Sequence, residues 1–110
     1  MTGYYLSEDA FRDLREIWNY IAADNSDAAD KFEHTVYEAC DLIAALPMAG
    51  AVRKDFTLRP VRFHLVLPYR TYWIVYDPSS RPVEIIRILH TSFDIVAILG
   101  YSPPEDLSQL

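Results

Sequence analysis

Two polar residues at the most apolar stretch of the chain are the first candidates for chemistry. Arg87 lies among the apolar residues of 83–89, and His90 follows them directly. The stretch is typical of a central β-strand that is covered on both faces. A guanidinium inside such a strand needs an acidic partner or a ligand, because an unpaired buried charge costs free energy. A histidine at a strand end can act as an acid or a base, but a structural role is the favoured interpretation.

The motifs that usually mark an active site are missing from the sequence. No cluster of His and Cys has metal-ligand spacing, and there is no glycine-rich phosphate loop or nucleophile elbow. The three histidines, His34, His64 and His90, are far apart in the chain. Arginine and aromatic residues are interleaved from Arg62 to Trp73, which suits base stacking but suits a β-sheet better. The sequence therefore predicts no catalytic residue, no metal and no cofactor.

The composition is that of one globular domain in a reducing compartment. The chain has 110 residues, 51% of them hydrophobic, and a single cysteine, Cys40, so an internal disulfide is ruled out. No leader and no apolar run of membrane-spanning length is apparent, so a cytoplasmic protein is expected. The net charge of −6 disfavours general nucleic-acid binding, which depends on neutralising phosphates. Acids concentrate in residues 1–50, whereas residues 51–94 are basic and predict either a surface for an acidic partner or a solvated surface of mixed charge.

The first half of the chain predicts a short strand and a helix hairpin. Residues 3–6 are aromatic and apolar, and Ser7 follows them as the N-cap of a first helix. Ser26 restarts the helical pattern as a second N-cap, and Pro47 ends it. Two helices joined by so short a turn must pack antiparallel. The second helix has one apolar face, made of Ala29, Phe32, Val36, Ala39, Cys40, Ile43 and Leu46.

The second half predicts an antiparallel meander of three strands. Residues 61–66, 69–76 and 83–89 form the strands, and residues 77–82 form the turn before the last one. Apolar side chains occur at both odd and even positions of these strands, and therefore on both faces of the sheet. One face should therefore pack on the hairpin, while the other exposes an apolar patch for a partner. A short helix that ends at Gly100 follows and covers part of that patch.

The final helix and the tail complete the expected fold. Thr91 and Asp94 have the spacing of a capping box, with Thr91 as the N-cap and Asp94 at the third helical position, so both are expected to be structural. The whole is an α+β fold: an N-terminal strand, an antiparallel helix hairpin, a three-stranded antiparallel meander and a short C-terminal helix. Residues 1–100 should form a single domain, and residues 101–110 a flexible tail.

The order and spacing of these features resemble the ParE branch of the RelE/ParE toxin superfamily. The resemblance spans most of the chain and ends in an H-x-x-x-D pattern, and it is carried by the set as a whole because no single piece is specific. The matching residues are Leu6, Ser7, Ala10, Asp13, Leu14, Ile17, Trp18, Tyr20, Ile21, Asn25, Ala28, Ala29, Phe32, Leu46, Pro47, Gly50, Val61, Arg62, Tyr72, Ile74, Tyr76, Glu84, Ile85, Arg87, Ile88, Leu89, His90 and Asp94.

The resemblance implies the toxin of a type II toxin–antitoxin system, of the kind linked to plasmid stabilization and growth arrest. A cognate antitoxin, expected to carry a ribbon-helix-helix DNA-binding domain, would hold the toxin inactive in a hetero-oligomer, with no membrane involved. ParE-type members inhibit DNA gyrase, whereas RelE-type members cut mRNA on the ribosome. Three functions stay open: a non-enzymatic gyrase inhibitor, a ribosome-dependent endoribonuclease, and a relic that binds antitoxin but has lost toxicity.

The residue set that ribonuclease members use is incomplete here. Trp73 occupies the strand position where those members usually have an arginine, and no arginine or lysine follows the last strand in residues 91–93. Arg70, Arg87 and His90 could form only a partial set, so the sequence favours gyrase inhibition over RNA cleavage. The residues expected to bind the antitoxin or the target are Arg62, Arg70, Trp73, Arg87 and His90.

Arg87 carries the most specific of these expectations. Its side chain should point opposite to those of Ile86 and Ile88, because strand residues alternate. If these isoleucines face the hairpin, Arg87 lies on the open face and its guanidinium binds a carboxylate of an acidic antitoxin. The alternative is an internal salt bridge to Asp94 or Glu84.

Overall fold

A computed structural model describes residues 3–100 and confirms the α+β fold. The expected flexible tail, residues 101–110, lies outside the described residues. A single turn of 3-10 helix follows the second α-helix, at Pro47–Ala49. In chain order the elements are β1 (Tyr4–Leu6), α1 (Glu8–Ala22), α2 (Ser26–Ala45), β2 (Arg62–Leu65), β3 (Tyr72–Asp77), β4 (Val83–His90) and α3 (Ile95–Leu99).

The helix caps agree with the sequence at α1 and differ at α2 and α3. Ser7 caps α1 as predicted, and its side chain accepts a hydrogen bond from the backbone N–H of Ala10. Asn25, and not Ser26, caps α2 through the N–H of Ala28. Both residues are good caps, so the one-residue error lies within the ambiguity of the sequence signal.

The predicted capping box at α3 does not form. Asp94 is itself the N-cap, and its carboxylate accepts a hydrogen bond from the N–H of Ala97. Thr91 instead lies in the turn after β4, where its backbone N–H donates to the carbonyl of Thr71. The helix starts at Ile95, three residues later than a Thr91 cap would require, because the carbonyl of His90 accepts from the N–H of Phe93 in a turn. Gly100 ends the helix in the left-handed conformation that glycine favours, with φ of 69°.

The sheet has the strand order β1-β4-β3-β2, so the longest strand is central. β1 pairs with β4 in parallel, while β2–β3 and β3–β4 are antiparallel, as the meander requires. A β-bulge interrupts the β3–β4 ladder: Val75 pairs with Arg87 and Tyr76 with Ile85, which leaves Ile86 as an extra residue. The bulge shifts the alternation of side chains along β4.

The sheet is covered on both faces. The helix-side core lies between the hairpin and the sheet and includes Phe32, Val36, Ile74 and Ile88. A second cluster, here called the outer core, consists of Val61, Phe63, Val75, Leu89, Ile95 and Leu99. The expected exposed patch is therefore absent from these positions, because α3 and Phe56 close this face more completely than the sequence predicts.

The connection between α2 and β2 is anchored by one buried tyrosine. The Tyr76 hydroxyl donates to the carbonyl of Pro47 at 2.7 Å and accepts from the N–H of Gly50 at 3.0 Å. A side chain at position 50 would collide with the Tyr76 ring, so this close approach requires glycine. The Gly50 carbonyl accepts a hydrogen bond from Arg62 at 2.7 Å. These contacts hold the start of the connection against the sheet.

Candidate functional site: a groove beside helix α1

One open cavity is a groove of about 330 Å³ between α1 and the ends of β3 and β4. Below, "the groove" means this cavity. It combines acidic, aromatic and aliphatic side chains, and it opens to solvent along the exposed side of α1. The lining residues are Asp13, Glu16, Ile17, Tyr20, Tyr72, Ile88, His90 and Phe93.

One wall of the groove is the contact between α1 and β4, here called the seam. Hydrogen bonds pair its polar groups. β1 ends at Leu6, so β4 has no strand neighbour on this side beyond Ile85. Side chains from the N-terminal half of α1 take the neighbour's place. The Ser7 hydroxyl donates to the carbonyl of Ile86 at 2.8 Å, and the Asp13 carboxylate accepts from the N–H of Ile88 at 3.0 Å. The edge of β4 is thereby closed to a further strand at these positions.

Arg87 completes the seam. Its guanidinium donates twice to Asp13, from Nε at 2.8 Å and from Nη2 at 2.9 Å. The pair is mostly withdrawn from solvent, with Asp13 11% and Arg87 26% exposed. The hydrogen bond to Asp13 is the largest cause of a raised Arg87 pKa, burial opposes it, and the charges of Asp13, Asp9 and Glu16 add to it. This bidentate geometry fixes both side chains.

The inner wall of the groove is made of rings in fixed positions. The Tyr72 ring lies 5.1 Å from Phe32 and meets His90 edge-on at 5.2 Å and 83°. The Nδ1 atom of His90 accepts from the N–H of Ser92 at 3.0 Å and lies 2.7 Å from the Ser92 hydroxyl. In its neutral form the imidazole therefore carries its proton on Nε2. Burial, followed by the nearby Tyr20, raises the pKa of Tyr72, so its hydroxyl stays protonated at neutral pH.

The rim of the groove, in contrast, is exposed to solvent. Tyr20 is 81% exposed and Phe93 is 52% exposed. Glu16 is exposed, and within residues 3–100 its carboxylate makes no hydrogen bond or ion pair. No lysine or arginine belongs to the lining, and Arg87, whose charge acts on Glu16, has its hydrogen bonds directed to Asp13. The groove thus presents one carboxylate that has no hydrogen-bond or ion-pair partner within residues 3–100, among aromatic faces.

The five residues expected to bind a partner do not come together. Arg62 and His90 belong to opposite ends of the sheet: Arg62 pairs with Tyr76 and His90 with Tyr72, four residues or about 13 Å apart on β3. Trp73 lies on the other face, packed edge-on against Phe63 of the outer core at 5.8 Å. Arg70 is exposed in the turn between β2 and β3 and is not part of the groove lining. Of the five, only His90 lines the groove.

The two isoleucines beside Arg87 do not share a face, contrary to expectation. Ile88 belongs to the helix-side core, whereas Ile86 packs on the outer core, because the bulge adds one residue between them. The internal salt bridge that the sequence left as the alternative is the one that forms. Its partner is Asp13, however, and neither Asp94 nor Glu84. The guanidinium therefore already has a carboxylate partner within the chain.

Sequence reasoning missed most of the groove, although one signal was available. Asp13, Glu16 and Tyr20 are spaced by three and four residues, so they share one face of α1. That face is polar and aromatic, and it adjoins the apolar stripe. Tyr72 and Phe93 join the groove only through the β3–β4 register and the turn after β4, which no local pattern specifies.

Other kinds of site are not found in the described part of the chain. Between residues 3 and 100 there is no group of His, Cys, Asp or Glu side chains placed to hold a metal ion. No helix in the same range is long and apolar enough to cross a membrane. Cys40 is buried in the helix-side core, and burial followed by the charge of Asp41 raises its pKa to about 12, so its thiol is unreactive at neutral pH.

Comparison with known proteins adds a family and a fold. The family model of the ParE toxin of the type II toxin–antitoxin system, parDE, matches residues 4–95. The structure is similar to that of a chromosomal ParDE toxin–antitoxin system from P. aeruginosa, with a TM-score of 0.67 and 19% sequence identity. The similarity covers 82% of this chain and 96% of the other. No curated protein sequence matches the chain.

Proposed function

Because this chain belongs to the ParE toxin family of type II toxin–antitoxin systems, we propose that it arrests growth by inhibiting DNA gyrase without catalysis. In this proposal it acts in the cytoplasm and is neutralised by a cognate antitoxin in a hetero-oligomer, the antitoxin carrying a ribbon-helix-helix domain. The observation that carries the choice of mechanism is the charge of the groove.

RNA cleavage places a developing negative charge on phosphate, and enzymes stabilise it with preorganised cations or hydrogen-bond donors. The groove offers the opposite: the Glu16 carboxylate has no hydrogen-bond or ion-pair partner within residues 3–100, and no cationic side chain is part of the lining. The partial catalytic set of Arg70, Arg87 and His90 is dispersed, because Arg87 is held by Asp13 and Arg70 lies outside the groove. Phosphate would be repelled by Glu16 in the groove, where His90 is the only member of that partial set and Tyr72 is its neighbour.

The need for an antitoxin is supported by apolar surface at the far end of the hairpin. Leu42, Leu46 and Met48 are all more than half exposed, and Leu42 and Leu46 line a smaller apolar cavity under β2 together with His64. Exposed apolar side chains that cluster in this way usually mark a protein interface. A toxin kept inactive by a wrapped partner would bury such a surface.

Induction in bacterial cells tests the proposal. Expression of the chain alone should stop growth, produce filamentous cells and relax a reporter plasmid, since gyrase introduces negative supercoils. Co-expression of the cognate antitoxin should restore growth. Primer extension on abundant mRNAs serves as the control and should show no new ends. Codon-specific cuts with normal supercoiling would replace the proposal by ribosome-dependent RNA cleavage, and unaffected growth would replace it by a relic that only binds antitoxin.

A further inference from the structure

We propose that the groove receives an arginine side chain of the cognate antitoxin, with the Glu16 carboxylate as its counter-charge. This inference rests on the proposed function, because it identifies how the toxin's partner is held.

The charge of the groove selects a cation. Asp13 is fully used by three hydrogen bonds, two from Arg87 and one from the N–H of Ile88. Glu16, one turn further along α1, makes none within the described residues. The charge of Glu16 contributes to the raised Arg87 pKa, but only after the hydrogen bond to Asp13, burial and the charges of Asp13 and Asp9, so no hydrogen bond of Arg87 is directed to Glu16. The sign is therefore opposite to the sequence-based expectation: the antitoxin should bring the cation, and the toxin the carboxylate.

The rings of the groove favour arginine over lysine. Tyr72 and His90 form a wall that is held by Phe32 on one side and Ser92 on the other. Tyr20 and Phe93 stand exposed at the rim, where a bound side chain would cover them. A guanidinium is planar, weakly hydrated and able to stack on aromatic faces while its N–H groups bind a carboxylate. An ammonium group can also bind a carboxylate and lie over a ring, but it is neither planar nor weakly hydrated, so it cannot stack on the rings in the same way.

The size and openness of the site indicate a side chain of a protein partner. A volume of about 330 Å³ accommodates one long side chain and the backbone that delivers it. Nucleic acid is disfavoured because its phosphates would meet Glu16. A metal ion is disfavoured because residues 3–100 contain no cluster of ligating side chains.

A double-mutant cycle between toxin and antitoxin tests the inference. Glu16→Gln in the full-length toxin should weaken antitoxin binding by about tenfold or more, because a charge-assisted hydrogen bond is lost. One arginine of the antitoxin, found by changing each arginine to glutamine in turn, should give a similar loss. Combining that change with Glu16→Gln should add little, since both remove the same contact. The dissociation constants are measured by calorimetry at a fixed salt concentration.

The control is Glu38→Gln, which removes the same charge from an exposed position on α2 outside the groove, where the carboxylate lies 3.3 Å from His34, and it should leave the dissociation constant unchanged. Unchanged affinity of the Glu16→Gln toxin, additive losses for every arginine, or an antitoxin without arginine would each overturn the inference. So would weakened gyrase inhibition with unaltered antitoxin affinity, because the groove would then serve the target. If the toxin still binds the antitoxin and is neutralised by it, each of these outcomes overturns only the inference about the groove and does not contradict the proposed function. Absence of any binding to the rescuing protein would instead refute the proposed function.

Discussion

The seam and the groove lie side by side on α1, and their two carboxylates are in opposite situations. Asp13 accepts hydrogen bonds from Arg87 and from the backbone of Ile88, and its pair is mostly withdrawn from solvent. Glu16, three residues later, is exposed and has no such partner in residues 3–100. The seam replaces a missing strand and closes the edge of the sheet. The groove leaves charge and aromatic surface available, so in our proposal stability and recognition are assigned to successive turns of one helix.

The largest effect on stability is expected from breaking the seam. Asp13→Ala should lower the free energy of unfolding by about 2–3 kcal/mol, because it leaves the Arg87 charge and the Ile88 N–H without partners in a partly buried place. Urea denaturation measures the change. Asp9→Ala removes an acid whose ion pair with Arg12 is exposed, and should change the free energy of unfolding by less than about 0.5 kcal/mol. Equal effects of the two substitutions would show that the seam does not stabilise the fold.

A smaller effect is expected at the turn that carries Phe93 to the rim of the groove. Asp94→Ala removes the N-cap of α3 and should lower the free energy of unfolding by about 1 kcal/mol. Thr91→Ala should have almost no effect, because the Thr91 side chain does not cap the helix. Thermal melts of both variants distinguish this geometry from the capping box that the sequence suggested. A larger loss of stability for Thr91→Ala than for Asp94→Ala would support the predicted capping box instead.

A histidine outside both regions should dominate the pH dependence between pH 5 and 7. Burial lowers the pKa of His64 below its usual 6.5. The unfolded chain therefore takes up a proton before the folded chain does, and stability is lost as the pH falls below about 6.5. Asp55 and Asp77, whose pKa values are lowered by hydrogen bonds chiefly with Arg53 and Ser79, add a loss only near or below pH 4. His64→Gln should flatten the melting temperature between pH 5 and 7, and an unchanged slope would assign the dependence to another group.

The smallest effect on stability is expected at the rim of the groove. Tyr20→Ala should leave the free energy of unfolding within about 0.5 kcal/mol of the wild type, because the ring is exposed. Antitoxin affinity should nevertheless fall, since the ring is proposed to cover a bound arginine. Chemical denaturation and calorimetry on one preparation separate the two quantities. A large loss of stability with unchanged affinity would place Tyr20 in the structural part of the molecule.

The sequence was sufficient for the type and order of the elements, less so for the starts of α2 and α3, and insufficient for the site. Ser7, Pro47 and the apolar face of α2 are local signals, and the structure follows them. The Asp13–Arg87 pair joins residues 74 positions apart, and the sequence alone would allow either residue to pair with a different residue of opposite charge. No sequence pattern predicts the bulge at Ile86, because an isoleucine can pack on either face of a sheet that is covered on both sides. The dispersal of Arg62, Arg70 and Trp73 likewise depends on strand register, which only the assembled sheet determines.

The central claim is that the groove binds a partner and does not catalyse, and growth arrest by a double variant tests it most directly. Tyr72→Phe removes the hydroxyl, and His90→Asn removes the imidazole while keeping an acceptor for the N–H of Ser92. A toxin that acts without catalysis should arrest growth as strongly as the wild type, with mRNA intact. Loss of arrest in a variant that melts normally, together with mRNA cuts by the wild type, would contradict the claim.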